Sequence, residues 1–265
     1  MRIHLLASGS SGNCALIEAG RGQDRTVLCL DCGIAQRTAR DLAQAAGLEL
    51  TRVDGVLLSH HHADHSHNVV GVAARAKAPL FAHPEALAQG RKTRASELVR
   101  RGVETPAIAD REAFTVGPLT VTPVRLPHDA VPTFGFLFEA DGQRAGFFTD
   151  LGSPEVLADG LLDGLDLLVL EANHDRDMLR HGPYPRHLQE RVGGPLGHLA
   201  NVQTAELLAA AAPPTLRQLV LAHLSTRNNL PELALGAAAD ALDGRGLGGI
   251  RLEAAPARGL MQATP

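Results

Sequence analysis

Several short apolar runs end in a titratable residue, and this recurrence constrains the fold more than any other feature of the sequence. VDGVLLS leads into His60, LTVTPVRLP into His128, RAGFFT into Asp150, LDLLVL into Glu171 and LRQLVLA into His223. Short apolar runs bounded by polar residues are typical of buried strands. We therefore predict a sheet-rich fold whose downstream strand ends gather histidines and carboxylates, the edge at which α/β proteins build their sites.

The order of the predicted elements indicates the fold class. Strands are expected in RIHLLAS, NCALIEA and TVLCLD, followed by a helix in QRTARDLAQAAG. Later come a hairpin that turns at Asp141-Gly142, a helix in NVQTAELLAAAA with Asn201 as its N-cap, and a last strand in IRLEAA. This order predicts a layered α/β domain with mixed sheets and outer helices.

Composition excludes some classes of protein. The chain has 265 residues and a net charge of -4, which argues against a generally basic nucleic-acid coat but leaves a local basic patch open. Apolar stretches fall short of the roughly 20 residues that a membrane helix needs, so we expect a cytoplasmic protein without a membrane segment. Cys29 and Cys32 form one C-x-x-C, for which buried apolar packing is favoured over a zinc site.

The stretch LLSHHHADHSHN, from Leu57 to Asn68, carries the densest group of candidate ligands. In an extended segment His60 and His62 share a face, and His61 points away. If a helix begins near Ala63, its first turn presents Asp64 and His65 toward a second, adjacent metal. Imidazole and carboxylate ligands suit zinc, manganese or iron.

A second interpretation of this stretch is an exposed polar loop that binds metals adventitiously. The position of H-x-H-x-D-H directly after a buried strand favours true ligands. His61 and His67 are expected to face solvent or to support the ligands from behind.

The H-x-H-x-D-H motif at His60–His65 resembles the signature of the metallo-β-lactamase-fold hydrolases. The later ligands of that family match His128 in LPHDA, Asp150 in FFTD and His223 in LAHLS. The resemblance implies a four-layer αββα sandwich and two divalent metal ions, Zn²⁺ or Mn²⁺. It also implies that His60, His62 and His128 hold one ion, that Asp64, His65 and His223 hold the other, and that Asp150 bridges them.

Further blocks resemble the YycJ/WalJ-type branch of this family: ASGSSGN, TDLG, EANHD, a Tyr184-Pro185 pair, GHLAN and LAHLSTRNN. Ala200 departs from the branch, which has serine there. The resemblance implies a DNA exonuclease with DNA as its partner. Only 72 residues separate Asp150 from His223, too few for an inserted clamp domain, so a single domain over residues 1–265 is expected.

Other polar residues are candidates for substrate contact. Ser8, Ser10, Ser11 and Asn13 could cradle a phosphate, or SGSSGN could be a plain hairpin turn. Asn173 and His174 could touch substrate or support the ligands. The basic residues Arg91–Arg94, Arg100, Arg101, Arg176, Arg180, Arg186 and Arg191 could grip a nucleic-acid backbone, although such charges are more often solvated.

The expected chemistry follows from formal charge. Two divalent cations, two aspartates and one hydroxide leave roughly one positive charge, which complements a phosphodiester. Asp64 or Asp150 would orient the attacking hydroxide. His198 is the candidate proton donor, with a capping or packing histidine as the alternative. Besides a DNA nuclease, the site could serve a small cyclic phosphodiesterase, a thioesterase or a lactonase. A non-catalytic metal-binding protein is a third possibility, against which the complete ligand set argues.

Overall fold

The computed structural model describes residues 1–93, 95–158 and 160–265. Its strands are β1 (Arg2–Ala7), β2 (Cys14–Ala19), β3 (Thr26–Leu30), β4 (Gly55–Leu57), β5 (Leu80–Phe81), β6 (Phe114–Val116), β7 (Leu119–Leu126), β8 (Thr133–Ala140), β9 (Gln143–Phe148), β10 (Leu167–Glu171), β11 (Gln218–Ala222), β12 (Arg251–Ala254) and β13 (Arg258–Ala263). Its helices are α1 (Gln36–Ala45), α2 (Ala63–Ser66), α3 (Val69–Ala76), α4 (Pro84–Gln89), α5 (Ala95–Arg101), α6 (Glu155–Ala158), α7 (Arg176–His181), α8 (Arg186–Val192), α9 (Asn201–Ala211) and α10 (Pro231–Gly244).

Two mixed sheets form the inner layers of the described chain. The first has the strand order β13-β1-β2-β3-β4-β5, and the second has the order β12-β11-β10-β9-β8-β7-β6. In the first sheet β3, β4 and β5 are parallel, and in the second β9 to β12 are parallel. The parallel strands therefore end at a common edge of each sheet, and the candidate ligands follow those ends.

Alternating side chains divide each strand between two apolar layers. On β10, Leu167 and Val169 pack between the sheets, whereas Leu168 and Leu170 pack under the outer helices. This period of two is what a strand covered on both faces requires. The aromatic rings of Phe136 and Phe138, on β8, fill the layer between the sheets.

Helices cover the outer face of each sheet. Ala39 of α1 and Ala73 of α3 pack on the first sheet, and Leu208 of α9 and Ala238 of α10 pack on the second. The predicted four-layer αββα sandwich is therefore confirmed. Cys29 is buried beneath α1, as a small apolar side chain would be.

Two expectations about elements were wrong. IRLEAA is not the last strand, because β13 follows it and pairs with β1 in the other sheet. Asn201 is the first residue of α9 rather than its N-cap, and its amide instead pairs with Asn229. The N-cap is Ala200, which has no side-chain oxygen, so α9 lacks a cap hydrogen bond that typically contributes about 1 kcal/mol.

Candidate metal centre

The candidate ligands converge at the edge where strands of both sheets end. His60 and His62 lie in the segment after β4, and α2 begins at Ala63 with Asp64 in its first turn. From the second sheet, His128 lies beyond β7, and Asp150 and His223 lie beyond β9 and β11. The site is thus shared between the two sheets.

The ligands form two adjacent groups. In each, one nitrogen or oxygen from every side chain lies within 4.8 Å of the others. The first group is His60, His62 and His128, and the second is Asp64, His65 and His223. Asp150 joins His60 and His65 in a further group of the same compactness, so it lies between the two sets.

Unpaired buried atoms indicate that these groups fit metal ions. Nε2 of His60, His128 and His223, together with Oδ2 of Asp150, are buried without a hydrogen-bond partner among the described residues. A buried polar atom without a partner costs about 1–3 kcal/mol, and natural proteins rarely retain several in one place. A pair of divalent cations would satisfy all four atoms.

The opposite nitrogen of three histidines is fixed by an acceptor. His65 Nδ1 lies 2.7 Å from Asp31 Oδ2, His128 Nδ1 3.0 Å from the Gly197 carbonyl, and His223 Nδ1 2.7 Å from Glu171 Oε1. A carbonyl or an ionised carboxylate only accepts, so each Nδ1 carries the proton. Nε2 is then the nitrogen that would offer a lone pair to a bound ion, as in metal-binding histidines supported from behind.

Left-handed backbone at Asp31, Asp150 and His223 stores strain at the site, with φ values of 55°, 62° and 58°. The strained His223 is held on both sides of its backbone. Its N–H donates to Ser8 Oγ at 2.8 Å, and its carbonyl accepts from Asn173 Nδ2 at 2.8 Å. Ser8 and Asn173, expected as possible substrate contacts, instead lie buried and fix a ligand.

Three more candidates for substrate contact differ in how far their side chains are exposed to solvent. Ser10 and Ser11 are exposed and line a groove beside Asp64. Asn13 is buried; its Oδ1 accepts from the Gly9 N–H at 2.8 Å, and its Nδ2 lies 2.8 Å from His65 Nε2. Asn13 therefore orders the SGSSGN turn and forms the wall of the site rather than a free phosphate cradle.

His174 also lies away from the surface. It is buried, and burial lowers the pKa of its imidazole to about 4. Its backbone bridges to Ala200, the residue that precedes α9. His174 therefore supports the segment that carries His198 and does not reach the groove.

Charge within the site favours a cation. Burial lowers the pKa of His65, but the carboxylates of Asp150 and Asp31 outweigh burial and raise this pKa to about 10. Burial raises the pKa of Asp150, but His223 and His65 more than offset it and hold this pKa well below the usual range. Binding of a divalent ion would displace the proton from His65 Nε2.

His198 lies beside the ligands, with its ring centroid 5.1 Å from those of His128 and His223. Its Nδ1 lies 2.9 Å from Glu171 Oε1. Burial lowers the pKa of His198, but the charge of Glu171 and the hydrogen bond to it prevail and raise the pKa to about 9. Glu171 therefore favours the protonated form of this imidazole, which lines the groove.

Glu171, which sequence reasoning noted only as the end of a strand, organises this part of the site. It is fully buried. Oε1 contacts His198 and His223, while Oε2 accepts from the Leu151 and Leu199 N–H groups at 3.0 and 3.2 Å. With both oxygens engaged, Glu171 positions neighbours rather than coordinating an ion itself. Its place at the end of β10 was the signal that it belongs with the ligands.

Asp129 was also missed. Its Oδ1 lies 3.6 Å from His62 Nε2 and 3.4 Å from His128 Nε2, and its Oδ2 pairs with Arg191. Asp129 therefore joins the first ligand group to a basic side chain at the mouth of the site. Its position next to His128 in LPHDA was the available signal.

A groove of about 270 Å³ opens over the metal centre. Its lining includes Asp64, Asp150, His198, Tyr184, Leu188 and Arg191. Among the other arginines considered above, Arg100 and Arg101 pair with Glu97, and Arg94 lies outside the described residues. Of the basic residues considered for nucleic-acid binding and described by the structure, Arg191 is the one that lines this groove.

Comparison with known proteins identifies the family. The sequence profile of the β-lactamase superfamily domain matches residues 25–224 of this chain. The chain belongs to this superfamily. With the ligand groups described above, it is a metallo-β-lactamase-fold hydrolase that depends on metal ions.

Members of the superfamily cover almost the whole chain. It is 28% identical over 253 residues to exodeoxyribonuclease YycJ of Bacillus anthracis, covering 94% of this chain and 91% of the relative. It is also 28% identical to exodeoxyribonuclease WalJ of Streptococcus pneumoniae serotype 2 (strain D39), over 87% of this chain and 84% of that one.

Solved structures of the superfamily share the fold. YhfI of Bacillus subtilis superposes with a TM-score of 0.72 at 18% identity, over 99% of both chains. The short form of human tRNase Z superposes with a TM-score of 0.66 at 16% identity, over 100% of this chain and 99% of that one.

Among the described residues, the helices are too short or too polar to cross a membrane.

Proposed function

We propose that this chain is a DNA exonuclease that hydrolyses phosphodiesters with two divalent ions, Zn²⁺ or Mn²⁺. The observation that carries the proposal is the pair of ligand groups joined by Asp150 beneath an open groove. The two relatives named exodeoxyribonucleases support DNA as the substrate, because their similarity spans most of the chain.

His60, His62 and His128 would hold one ion, and Asp64, His65 and His223 the other, with Asp150 shared. When bound, the ions polarise the phosphodiester and lower the pKa of water at the site. His61 and His67 are left outside both groups.

The chain itself supplies orientation and a proton. The Asp64 carboxylate, which lines the groove, orients the water that attacks phosphorus and accepts the proton that this water loses. As the bond from phosphorus to the leaving oxygen breaks, the protonated His198 gives its proton to that oxygen. Glu171 keeps His198 charged and correctly oriented between turnovers.

The size of the groove favours cleavage at a chain end. At about 270 Å³ it lies just below the ~300–1,000 Å³ range of ordinary ligand pockets, so it suits one terminal nucleotide better than a duplex. Tyr184 and Leu188 offer an aromatic ring and an apolar side chain in its wall, on which a base could stack.

The test is digestion of end-labelled DNA by the manganese- or zinc-loaded protein. We expect progressive shortening in single-nucleotide steps and no cleavage by Asp64→Ala. Asp240→Ala, which removes an exposed aspartate of α10, is the matched control and should cleave like wild type. Equal cleavage by wild type and Asp64→Ala would refute the catalytic assignment.

A small cyclic phosphodiesterase is the second candidate, because the limited volume of the groove also suits a single nucleotide. DNA, RNA and cyclic nucleotides should therefore be digested side by side. Faster turnover of cyclic nucleotides than of DNA would favour this alternative.

We also propose that residues 1–265 form one domain without an inserted clamp domain. The apolar layer between the sheets supports this, since it joins Ile3 of β1 to Ala263 of β13.

Three buried free cysteines fit the reducing cytoplasm, where we place the protein.

A further inference from the structure

A second groove leads away from the metal centre across the first sheet. It has a volume of about 550 Å³, and its lining includes Ser10, Ser11, Gln36, Asp64 and Asn68. Ser10 and Asp64 also line the groove over the metal centre. The two grooves therefore adjoin at these two residues.

At its far end the second groove meets a cluster of arginines. A cavity of about 260 Å³ lies between α1 and α3, lined by Arg37, Arg40, Arg75 and, again, Gln36. We call Arg37, Arg40 and Arg75 the arginine face. Because Gln36 lines both depressions, the arginine face adjoins the groove that borders the metal centre.

The arginine face carries uncompensated positive charge. Arg40 contacts Asp41 at 3.2 Å, and Arg37 reaches the same carboxylate only at 3.9 Å. Arg75 is exposed and has no carboxylate within 4.0 Å among the residues that the structure describes. One carboxylate thus faces three guanidinium groups, in a chain whose net charge is -4.

Guanidinium groups along a groove are suited to a chain of phosphates, since each forms paired hydrogen bonds with phosphate oxygens. A protein on DNA gains affinity by neutralising successive phosphates along the strand. The adjoining grooves supply such a path. The reacting phosphodiester lies at one end of it, and the cationic groups lie at the other.

We propose that the arginine face binds the DNA strand beyond the scissile phosphodiester, and that this strand runs from the metal centre through the groove of Ser10, Ser11 and Gln36. The inference rests on the proposed nuclease function. It separates two parts of the substrate: the groove over the metals takes the terminal nucleotide, and the arginine face takes the backbone that follows.

The double variant Arg37→Gln/Arg75→Gln tests this division. With a long oligodeoxynucleotide, its KM should rise about tenfold at constant kcat, because phosphate contacts are lost while the metal centre is intact. With a dinucleotide, which is too short to reach the arginine face, its kcat/KM should equal that of wild type.

The salt dependence gives an independent readout. Each lost phosphate contact lowers the slope of log affinity against log salt concentration by about 0.7 for single-stranded DNA, so the double variant should lose about 1.4. Binding of the oligonucleotide to the metal-loaded protein is measured by fluorescence anisotropy in a His198→Gln background, which keeps every proposed ligand and slows cleavage of the DNA.

The matched control is Arg217→Gln/Arg251→Gln. These arginines are exposed and lie at the amino ends of β11 and β12, the edge opposite the metal centre. The control should leave KM and the salt slope unchanged. An equal effect in both double variants, or none in either, would overturn the role of the arginine face. If wild type leaves all DNA uncut, the nuclease function itself fails, and the anisotropy measurement still decides whether this face binds DNA.

Discussion

A single buried carboxylate contacts both a candidate metal ligand and the candidate catalytic acid. Glu171 Oε1 contacts the ligand His223 and the candidate acid His198, so both imidazoles depend on one oxygen. The two backbone N–H groups on Oε2 prevent the carboxylate from rotating away. Glu171 is therefore a positioning residue that acts through its neighbours.

We predict that Glu171→Gln lowers kcat about 10–100-fold, the range found when a residue behind a metal ligand is altered. The neutral amide keeps the volume but no longer stabilises the protonated His198, so the alkaline limb of the kcat profile should move to lower pH. Steady-state kinetics against pH, with metal content measured in parallel, check this. Glu139→Gln, at an exposed pair with Arg144, is the control. An unchanged pH profile would contradict the prediction.

At the scale of elements, the connection from β3 to α1 packs directly against α2. A methyl group added at Gly33 would collide with the backbone carbonyl of Asp64. Furthermore, the Asn13 N–H donates to that carbonyl at 2.7 Å and the Gly33 N–H donates to the Asn13 carbonyl at 2.8 Å. The position of Asp64 is therefore set by close backbone contact and not by its side chain alone.

We predict that Gly33→Ala displaces α2, lowers metal content and abolishes most activity, at a stability cost of about 1–3 kcal/mol from overpacking. Gly236→Ala is the contrasting variant, because a methyl group there meets open space in α10 and removes a helix-weakening glycine. It should retain activity and gain about 0.5–1 kcal/mol. Thermal unfolding and metal analysis distinguish the two. Full metal content in Gly33→Ala would disprove the packing argument.

The same scale explains which elements the sequence could predict. Strands buried on both faces are unbroken apolar runs, so β10 and β11 were evident. By contrast, β13 is only partly buried and reads RGLMQA, and α8 buries none of its residues, so neither has a clear hydrophobic period. Their positions depend on tertiary contacts.

At the scale of the whole molecule, ligands were easier to predict than their supports. His128 and His223 could be placed because each follows an apolar run. The role of Ser8 could not, and for Asn173 support of the ligands was only one of two alternatives, because both act on the backbone of a residue far away in the sequence. A sequence pattern reports local chemistry, whereas such contacts exist only once the sheets have packed.

We predict that removing metal destabilises the whole fold. A ligand present at 100 times its Kd adds about 2.7 kcal/mol, and for a chain of this size that lowers Tm by about 5–10 °C on chelation. Calorimetry with and without a chelator measures the shift, and metal analysis should give about two ions per chain. In Asp150→Asn, which loses the shared ligand, the shift should be much smaller. Identical Tm values for loaded and chelated wild type would exclude bound structural ions.

The candidate ligands are divided between the two sheets, so bound ions would link one sheet to the other. Asp31, Asp64, Asp129, Asp150 and Glu171 bring five carboxylates to one rim of the sandwich, where histidines and Arg191 lie against them. His60 and His65 belong to one sheet, and His128 and His223 to the other. Ions bound between them would hold the two sheets together at this rim, in addition to the catalytic role proposed for them.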